Sequence, residues 1–233
     1  MPTLALHEVL RQLDGAALAA GRPAPRLLAV SKTRDAAAVA ELARAGQRAF
    51  GENYVQEAVA KHAALAEAGD AGPALEWHLI GHLQSNKARQ AAALFDWVQT
   101  VDRVSLVTAL ARHRPPGLGA LNVLLQVNVD DEAGKHGCRP DELGVLADAV
   151  ASHRLLRLRG LMVIPAPHAD VQRRRPAFRR ARELFADLQR CHRELDTLSM
   201  GMSDDFAVAI EEGATMVRVG TALFGQRSSK LDP

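Results

Sequence analysis

The feature that most constrains the fold is a regular alternation of short apolar runs with longer helix-like segments. The apolar runs predict strands, and the Ala-, Leu- and Glu-rich stretches between them have helical periodicity. The fifth run, residues 121–129, is largely apolar, as a strand is when both faces of a parallel sheet are covered. The pattern predicts a (β/α)8 barrel after an additional N-terminal helix near residues 4–20. The predicted strands are 27–31, 48–50, 76–80, 97–101, 121–129, 158–164, 197–200 and 215–219.

The chain length and the helix-ending signals agree with this architecture. The 233 residues suit one barrel domain covering 1–233. Gly46 and Gly213 are expected to end helices, and Ser203 with its two following aspartates is expected to begin one. No Gly-x-Gly-x-x-Gly pattern follows an early strand, which weakens the dinucleotide-binding alternative.

Composition places the chain among ordinary globular proteins, with 48% hydrophobic and 24% charged residues. A net charge of +2 gives little support to a nucleic-acid partner. Cys138 and Cys191 are too few for a disulfide framework and fit a reducing compartment, with a disulfide between the two as the alternative. Charged residues interrupt the apolar pattern of the first 21 residues, unlike a signal peptide, and no later run is long enough to span a membrane. We therefore expect a cytoplasmic protein.

The first predicted strand leads into a lysine that could act as a nucleophile. Lys32 follows the apolar run 27–30, so its amine is expected at the mouth of the sheet. Partial burial favours the neutral form of an amine, which is the form that condenses with aldehydes. A lysine that merely extends to solvent from a strand end is the simpler interpretation of this segment taken alone.

Small and polar residues follow the last two predicted strands, where barrels of this kind usually bind phosphate. Ser199, Gly201 and Ser203 precede one predicted helix, and Gly220 with Thr221 precedes another. Glycine allows close approach to an anion, hydroxyls donate to it, and a helix N-terminus attracts its charge. Simple helix-capping turns are the alternative. A phosphate site near a lysine at strand one suggests a phosphorylated aldehyde, with pyridoxal phosphate as the candidate.

With these motifs in place, the chain resembles the pyridoxal phosphate homeostasis protein family, whose fold is that of the alanine racemase N-terminal domain. The resemblance extends over residues 27–225, and it rests on segments that occur in the expected order along almost the whole chain. The matching segments are Ala29-Val30-Ser31-Lys32-Thr33, residues 50–57, residues 77–87, Val101-Asp102-Arg103, Gly160-Leu161-Met162, residues 198–204 and residues 217–225.

This resemblance implies a set of cofactor-binding residues. Lys32 would hold pyridoxal 5'-phosphate as an internal aldimine, and Arg218 would face the pyridine nitrogen. The residues implied around the phosphate are Ser199, Ser203, Gly220 and Thr221, and those implied near the ring are Asn53 and Met162. The implied function is binding and buffering of the cofactor in vitamin B6 homeostasis, with apoenzymes that depend on pyridoxal phosphate as possible recipients.

Little or no catalytic turnover is expected. Arginine only donates hydrogen bonds, so Arg218 would leave the ring nitrogen unprotonated and the ring less electron-withdrawing. The resemblance further implies that racemases with such an arginine add a tyrosine base from a second domain, whereas this chain ends at Pro233 and Tyr54 lies on another strand. We therefore assign no catalytic residue. Separately, we expect a monomer. A pyridoxal phosphate-dependent racemase is the main alternative, and a Schiff-base aldolase is another.

Two further patterns are assigned structural roles. His78 and His82 could share a helix face as metal ligands, but the residues between them favour a strand and a turn, so we expect no metal site. The basic run between Arg173 and Arg182 could contact nucleic acid. It is more typical of a solvated helix entry with Pro176 in the first turn.

Overall fold

The eight predicted strands are present, and they close into one parallel barrel in chain order. The computed structural model describes residues 2–68, 74–130, 134 and 136–225. Each strand pairs with its neighbours in sequence, and β1 pairs with β8 to complete the ring. The strands are β1 (Arg26–Val30), β2 (Ala49–Glu52), β3 (Glu76–Leu79), β4 (Trp97–Val101), β5 (Leu121–Gln126), β6 (Leu156–Met162), β7 (Thr197–Met202) and β8 (Met216–Val219).

Helices surround the barrel and connect successive strands. In the described residues they are α1 (Pro2–Ala19), α2 (Ala36–Arg44), α3 (Val55–Glu67), α4 (Ala88–Leu94), α5 (Val104–His113), α6 (Leu143–Ala151), α7 (Arg175–Cys191), α8 (Phe206–Glu211) and α9 (Thr221–Phe224). Helix α1 precedes the barrel and packs against the short helices α8 and α9. The predicted (β/α)8 barrel with an additional N-terminal helix is thus confirmed.

Alternation along the strands separates the barrel interior from the layer between strands and helices. In β1, Leu28 belongs to a small interior cluster, whereas the neighbouring Ala29 belongs to the main core beneath the helices. The same change occurs in β2 between Ala49 and Phe50. A second interior cluster contains Trp97, Leu124 and Met162. Side chains therefore fill the barrel interior, and its apolar ones form these two separate clusters.

Some element boundaries differ from the sequence prediction. Helix α8 begins at Phe206, so Ser203 lies in the preceding turn and does not cap the helix. Asp205 stabilises that turn, because its Oδ1 accepts a hydrogen bond from the Met202 N–H at 2.6 Å. Pro176 does occupy the first turn of α7, as expected. Within the described residues, no helix combines the length and the apolar character that a membrane span requires.

Candidate functional site

Lys32 lies at the carboxyl end of β1, where the strand alternation directs it toward the barrel mouth. Side chains alternate along a strand, and Leu28 faces the barrel interior. Val30, two residues later, lies beside Gly220, and Lys32 continues the same face. Lys32 is half-buried. It lines a cavity of about 50 Å³ together with Gly220 and Thr221 at the end of β8. The lysine predicted to react and two residues predicted to bind phosphate thus meet at one place.

The backbone around this cavity is close-packed at Gly220. A Cβ atom added to Gly220 would lie 3.2 Å from the carbonyl oxygen of Val30 and 3.3 Å from its Cβ. Thr221 is exposed and begins α9, whose first N–H groups have no acceptor within the helix. This combination of a small residue, a hydroxyl and the start of a helix suits an anionic group.

The loop after β7 also depends on glycine. Gly201 has φ +91°, and an added Cβ would lie 2.6 Å from the Cβ of Ala209 in α8. Only glycine therefore allows α8 to pack directly on the end of β7. Ser203 follows in this loop and is half-buried.

Arg218 projects into the barrel interior from β8 and is only 4% exposed. Its Nη1 donates to the carbonyl oxygen and to the Oγ of Ser199, both at 2.9 Å, and its Nη2 donates to the carbonyl oxygen of Val163 at 2.9 Å. These bonds use three of the five N–H groups of a guanidinium. Nε–H and one Nη2 hydrogen remain beyond them, which leaves donors for a ligand acceptor.

Ser199 begins a chain of hydrogen bonds that crosses the barrel interior. Its Oγ donates to Gln99 Oε1 at 2.7 Å, and Gln99 Nε2 donates to His78 Nδ1 at 2.9 Å. His78 Nε2 then donates to Glu76 Oε1 at 2.6 Å, and Arg26 contacts the same carboxylate oxygen at 2.7 Å. The chain connects Arg218 to the amino-terminal end of the barrel.

Burial shifts the titration of several groups along this chain. It lowers the pKa of Arg218 to about 10, with the charge of Asp205 acting in the opposite direction. It also lowers the pKa of His78, so this imidazole is neutral at pH 7. Burial alone would raise the pKa of Glu76, but the hydrogen bond from His78 and the charge and hydrogen bond of Arg26 bring it down to about 2.

The other predicted site residues occupy different surroundings. Asn53 lines a larger cavity of about 490 Å³ at the carboxyl ends of β2 and β3, with His82, Lys87 and His136 among its other residues. Met162 is fully buried and packs with Trp97 and Leu124 inside the barrel. Ser199 is also fully buried. Its hydroxyl is engaged by Arg218 and Gln99, which favours a role in holding Arg218 over contact with phosphate.

His82, Asp102 and His136 form a group beside the larger cavity, and their ligand atoms lie within 4.8 Å of one another. The rings of His82 and His136 are stacked, with centroids 3.9 Å apart and planes 14° from parallel. The lone pair of an imidazole nitrogen lies in its ring plane, so two stacked rings hold their lone pairs in separate, nearly parallel planes and cannot both direct them at one ion. The arrangement is therefore not a coordination site in this conformation.

The basic run is held by carboxylates of the neighbouring helix α8 and its C-cap. Arg175, Arg179 and Arg182 each contact the buried carboxylate of Glu212, at 3.1 to 3.2 Å. Arg175 also pairs with Glu211. These ion pairs give the run a structural role between α7 and α8, in line with its interpretation as a helix entry.

Sequence reasoning did not identify three buried polar residues near the site, namely Gln99, Lys61 and Glu52. Lys61 had a detectable signal, because Val55, Ala58 and Lys61 recur every three residues along α3 and all three are buried. A lysine on the buried face of a helix requires a partner. Glu52 is a charged residue at the end of a buried strand, which is a similar signal.

Known proteins resemble this chain over almost its whole length. A family model described as alanine racemase, N-terminal domain, matches residues 5–228. The chain belongs to this family. The pyridoxal phosphate homeostasis protein of Pseudomonas aeruginosa is 54% identical to it over 231 residues, and 97% of each chain is covered. The protein of the same description from Escherichia coli K12 is 50% identical over 224 residues, with 95% of each covered.

A solved structure is similar over the same extent. The structure of PipY from Synechococcus elongatus with pyridoxal phosphate bound superposes with a TM-score of 0.84 and 39% identity, and it covers 97% of this chain and 100% of its own. The similarity therefore extends over nearly the whole of both chains.

Proposed function

We propose that this chain binds pyridoxal 5'-phosphate covalently through Lys32 and contributes to homeostasis of the cofactor, with little or no catalytic turnover. The observation that carries the proposal is the meeting of Lys32 with Gly220 and Thr221 around one small cavity. A phosphorylated aldehyde requires an amine and an anion site at a fixed separation, and these residues supply both. The names of the relatives and the cofactor in the PipY structure support the same choice.

Each residue has a task in this proposal. The Lys32 amine forms a C=N bond with the aldehyde carbon, and water leaves. Thr221 and the backbone around Gly220 bind the phosphate, and Arg218 donates a hydrogen bond to the ring nitrogen through one of its remaining N–H groups. The bound cofactor would supply an electron-withdrawing ring, which an arginine partner keeps unprotonated and therefore weak in this respect. Ser203, Asn53 and Met162 complete the proposed surroundings.

A direct test is chemical trapping of the linkage. Protein incubated with pyridoxal phosphate and reduced with borohydride should carry the label on Lys32, and Lys32→Ala should abolish the labelling. Lys87→Ala is the matched control, because this lysine lies at the same end of the barrel and should leave the labelling intact. Protein that takes up no cofactor under these conditions would refute the proposal and favour an aldolase.

The proposed role as a carrier has its own test. Loaded protein should transfer pyridoxal phosphate to an apoenzyme that depends on it, and alanine should racemise no faster than with Lys32→Ala. Racemisation at enzyme-like rates that is lost with Lys32→Ala would establish the racemase alternative. We also propose that the chain is a monomer and that it acts in the cytoplasm. The free thiols of Cys138 and Cys191 support a reducing compartment.

A further inference from the structure

A second lysine lies behind the turn that carries Lys32. Lys61 on α3 is 5% exposed, and its ammonium has three hydrogens to donate. Its Nζ lies 2.7 Å from the carbonyl oxygen of Ser31, 2.7 Å from Glu52 Oε1 and 2.8 Å from Glu57 Oε1. All three hydrogens are therefore engaged, and one of them holds the residue immediately before Lys32.

The two carboxylates hold the residues on both sides of Lys32. Glu52 Oε1 accepts a hydrogen bond from Ser31 Oγ at 2.5 Å. Glu57 Oε1 accepts one from the Thr33 N–H at 2.5 Å. Lys61 thus joins two anchors, one before and one after the lysine at the barrel mouth.

Thr33 shows that this turn requires support. Its φ is +64°, and it is the one non-glycine residue with positive φ among those described. A β-branched residue in the left-handed region is strained, and such strain persists where the surroundings determine the conformation. The hydrogen bond from the Thr33 N–H to Glu57 is a contact that fixes it.

We propose that Lys61 is a positioning residue that acts through Glu52 and Glu57 to hold the turn of residues 31–33 so that the Lys32 amine faces the barrel mouth. This inference rests on the proposed function, because it explains how Lys32 is presented to an aldehyde. Lys61 itself is shielded from an aldehyde in this arrangement, because it is only 5% exposed and its Nζ contacts three acceptor oxygens. The network therefore also decides which of two neighbouring lysines reacts.

Glu57 provides the sharpest test because it is partly exposed and its replacement should leave the fold intact. Glu57→Ala removes the acceptor of the Thr33 N–H, whereas Glu57→Gln keeps an amide oxygen in its place. In the protein without cofactor, Glu57→Ala should accelerate hydrogen exchange of the Thr33 amide. With pyridoxal phosphate it should slow covalent labelling of Lys32 by about tenfold, and Glu57→Gln should remain close to the unaltered protein.

Three further variants separate positioning from general destabilisation. Thr33→Gly added to Glu57→Ala should restore part of the labelling rate, because glycine adopts positive φ without strain. Lys61→Met should slow labelling and lower the melting temperature. Arg114→Met is the matched control, since Arg114 is equally buried and donates to backbone carbonyl oxygens of Ala92 and Phe95, away from the site. It should lower the melting temperature and leave the labelling rate unchanged.

The outcomes distinguish this inference from the proposed function. If the unaltered protein is labelled on Lys32 and Glu57→Ala is labelled equally fast, the positioning role is wrong and the proposed function stands. If the unaltered protein is not labelled, the proposed function fails. Labelling of Lys61 in the unaltered protein would likewise overturn the inference.

Discussion

Replacing Ser199 by alanine should destabilise the protein through the hydrogen-bond chain in the barrel interior. The hydroxyl accepts from Arg218 at 2.9 Å and donates to Gln99 at 2.7 Å, and all three residues are buried. After the substitution, Arg218 Nη1 keeps the Ser199 carbonyl oxygen as an acceptor. Gln99 Oε1 loses its donor inside the barrel, so this unpaired oxygen accounts for most of the expected loss of stability.

The size of the effect follows from that loss. A buried polar group left without its partner costs about 1–3 kcal/mol, so we expect about 2 kcal/mol here. For a chain of this length, each kcal/mol corresponds to about 2–4 °C, and the melting temperature should fall by about 4–8 °C. Removing both partners with Ser199→Ala and Gln99→Leu should cost less than the sum of the single changes, by about 1 kcal/mol.

Denaturant unfolding and thermal melting of the cofactor-free protein measure these values. Ser152→Ala is the matched control, because this serine is exposed and its hydroxyl donates to the carbonyl oxygen of Ala149. Its effect should stay within about 0.5 kcal/mol. Equal effects of Ser199→Ala and Ser152→Ala, or strict additivity with Gln99→Leu, would refute the assignment of Ser199 as the link between Arg218 and Gln99.

Three other predictions concern pH, thiol reactivity and backbone conformation. Burial lowers the pKa of His78, so below about pH 6.5 this imidazole stays neutral in the folded protein but gains a proton in the unfolded protein. The free energy of unfolding should therefore decrease as the pH falls below about 6.5. His78→Gln should flatten this dependence in thermal melts recorded at several pH values. Burial raises the pKa of Cys138 to about 12, so a thiol reagent should modify exposed Cys191 in native protein and reach Cys138 only after unfolding. Gly201→Ala should lower the free energy of unfolding by more than about 2 kcal/mol, because φ is +91° and the added Cβ would collide with α8. Gly144→Ala is the control in the same unfolding assay. Its Cβ would lie in open space on α6, so this change should be neutral or stabilising.

The sequence predicted those parts of the molecule that depend on local pattern. The apolar run before Lys32 placed this residue at a strand end, and the alternation of strands and helices placed the end of β8 beside it in the barrel. Parallel strands in a closed ring bring all their carboxyl ends to one rim, so the position of Lys32 near Gly220 followed from topology.

The polar contacts inside and beneath the barrel were not accessible in the same way. Gln99 and Ser199 are one hundred positions apart in the chain, and no local pattern indicates that their side chains meet. The start of α8 was misplaced because Ser203 has the residue type of a helix cap. In the structure Asp205 closes a turn with the Met202 N–H, and the helix begins only at Phe206. Local propensity was overridden here by the packing of Gly201 against the helix.

The hydrogen-bond chain has a fixed donor-to-acceptor direction, so the position of the His78 proton depends on the contacts of Arg218 at the barrel mouth. Arg218 can only donate, so Ser199 must accept from it, and the orientation of each later group follows until the proton of His78 rests on Nε2. A molecule that drew the guanidinium away would free Ser199 to reorient. The nitrogen resonances of a single imidazole, recorded far from the ligand, would then register its arrival.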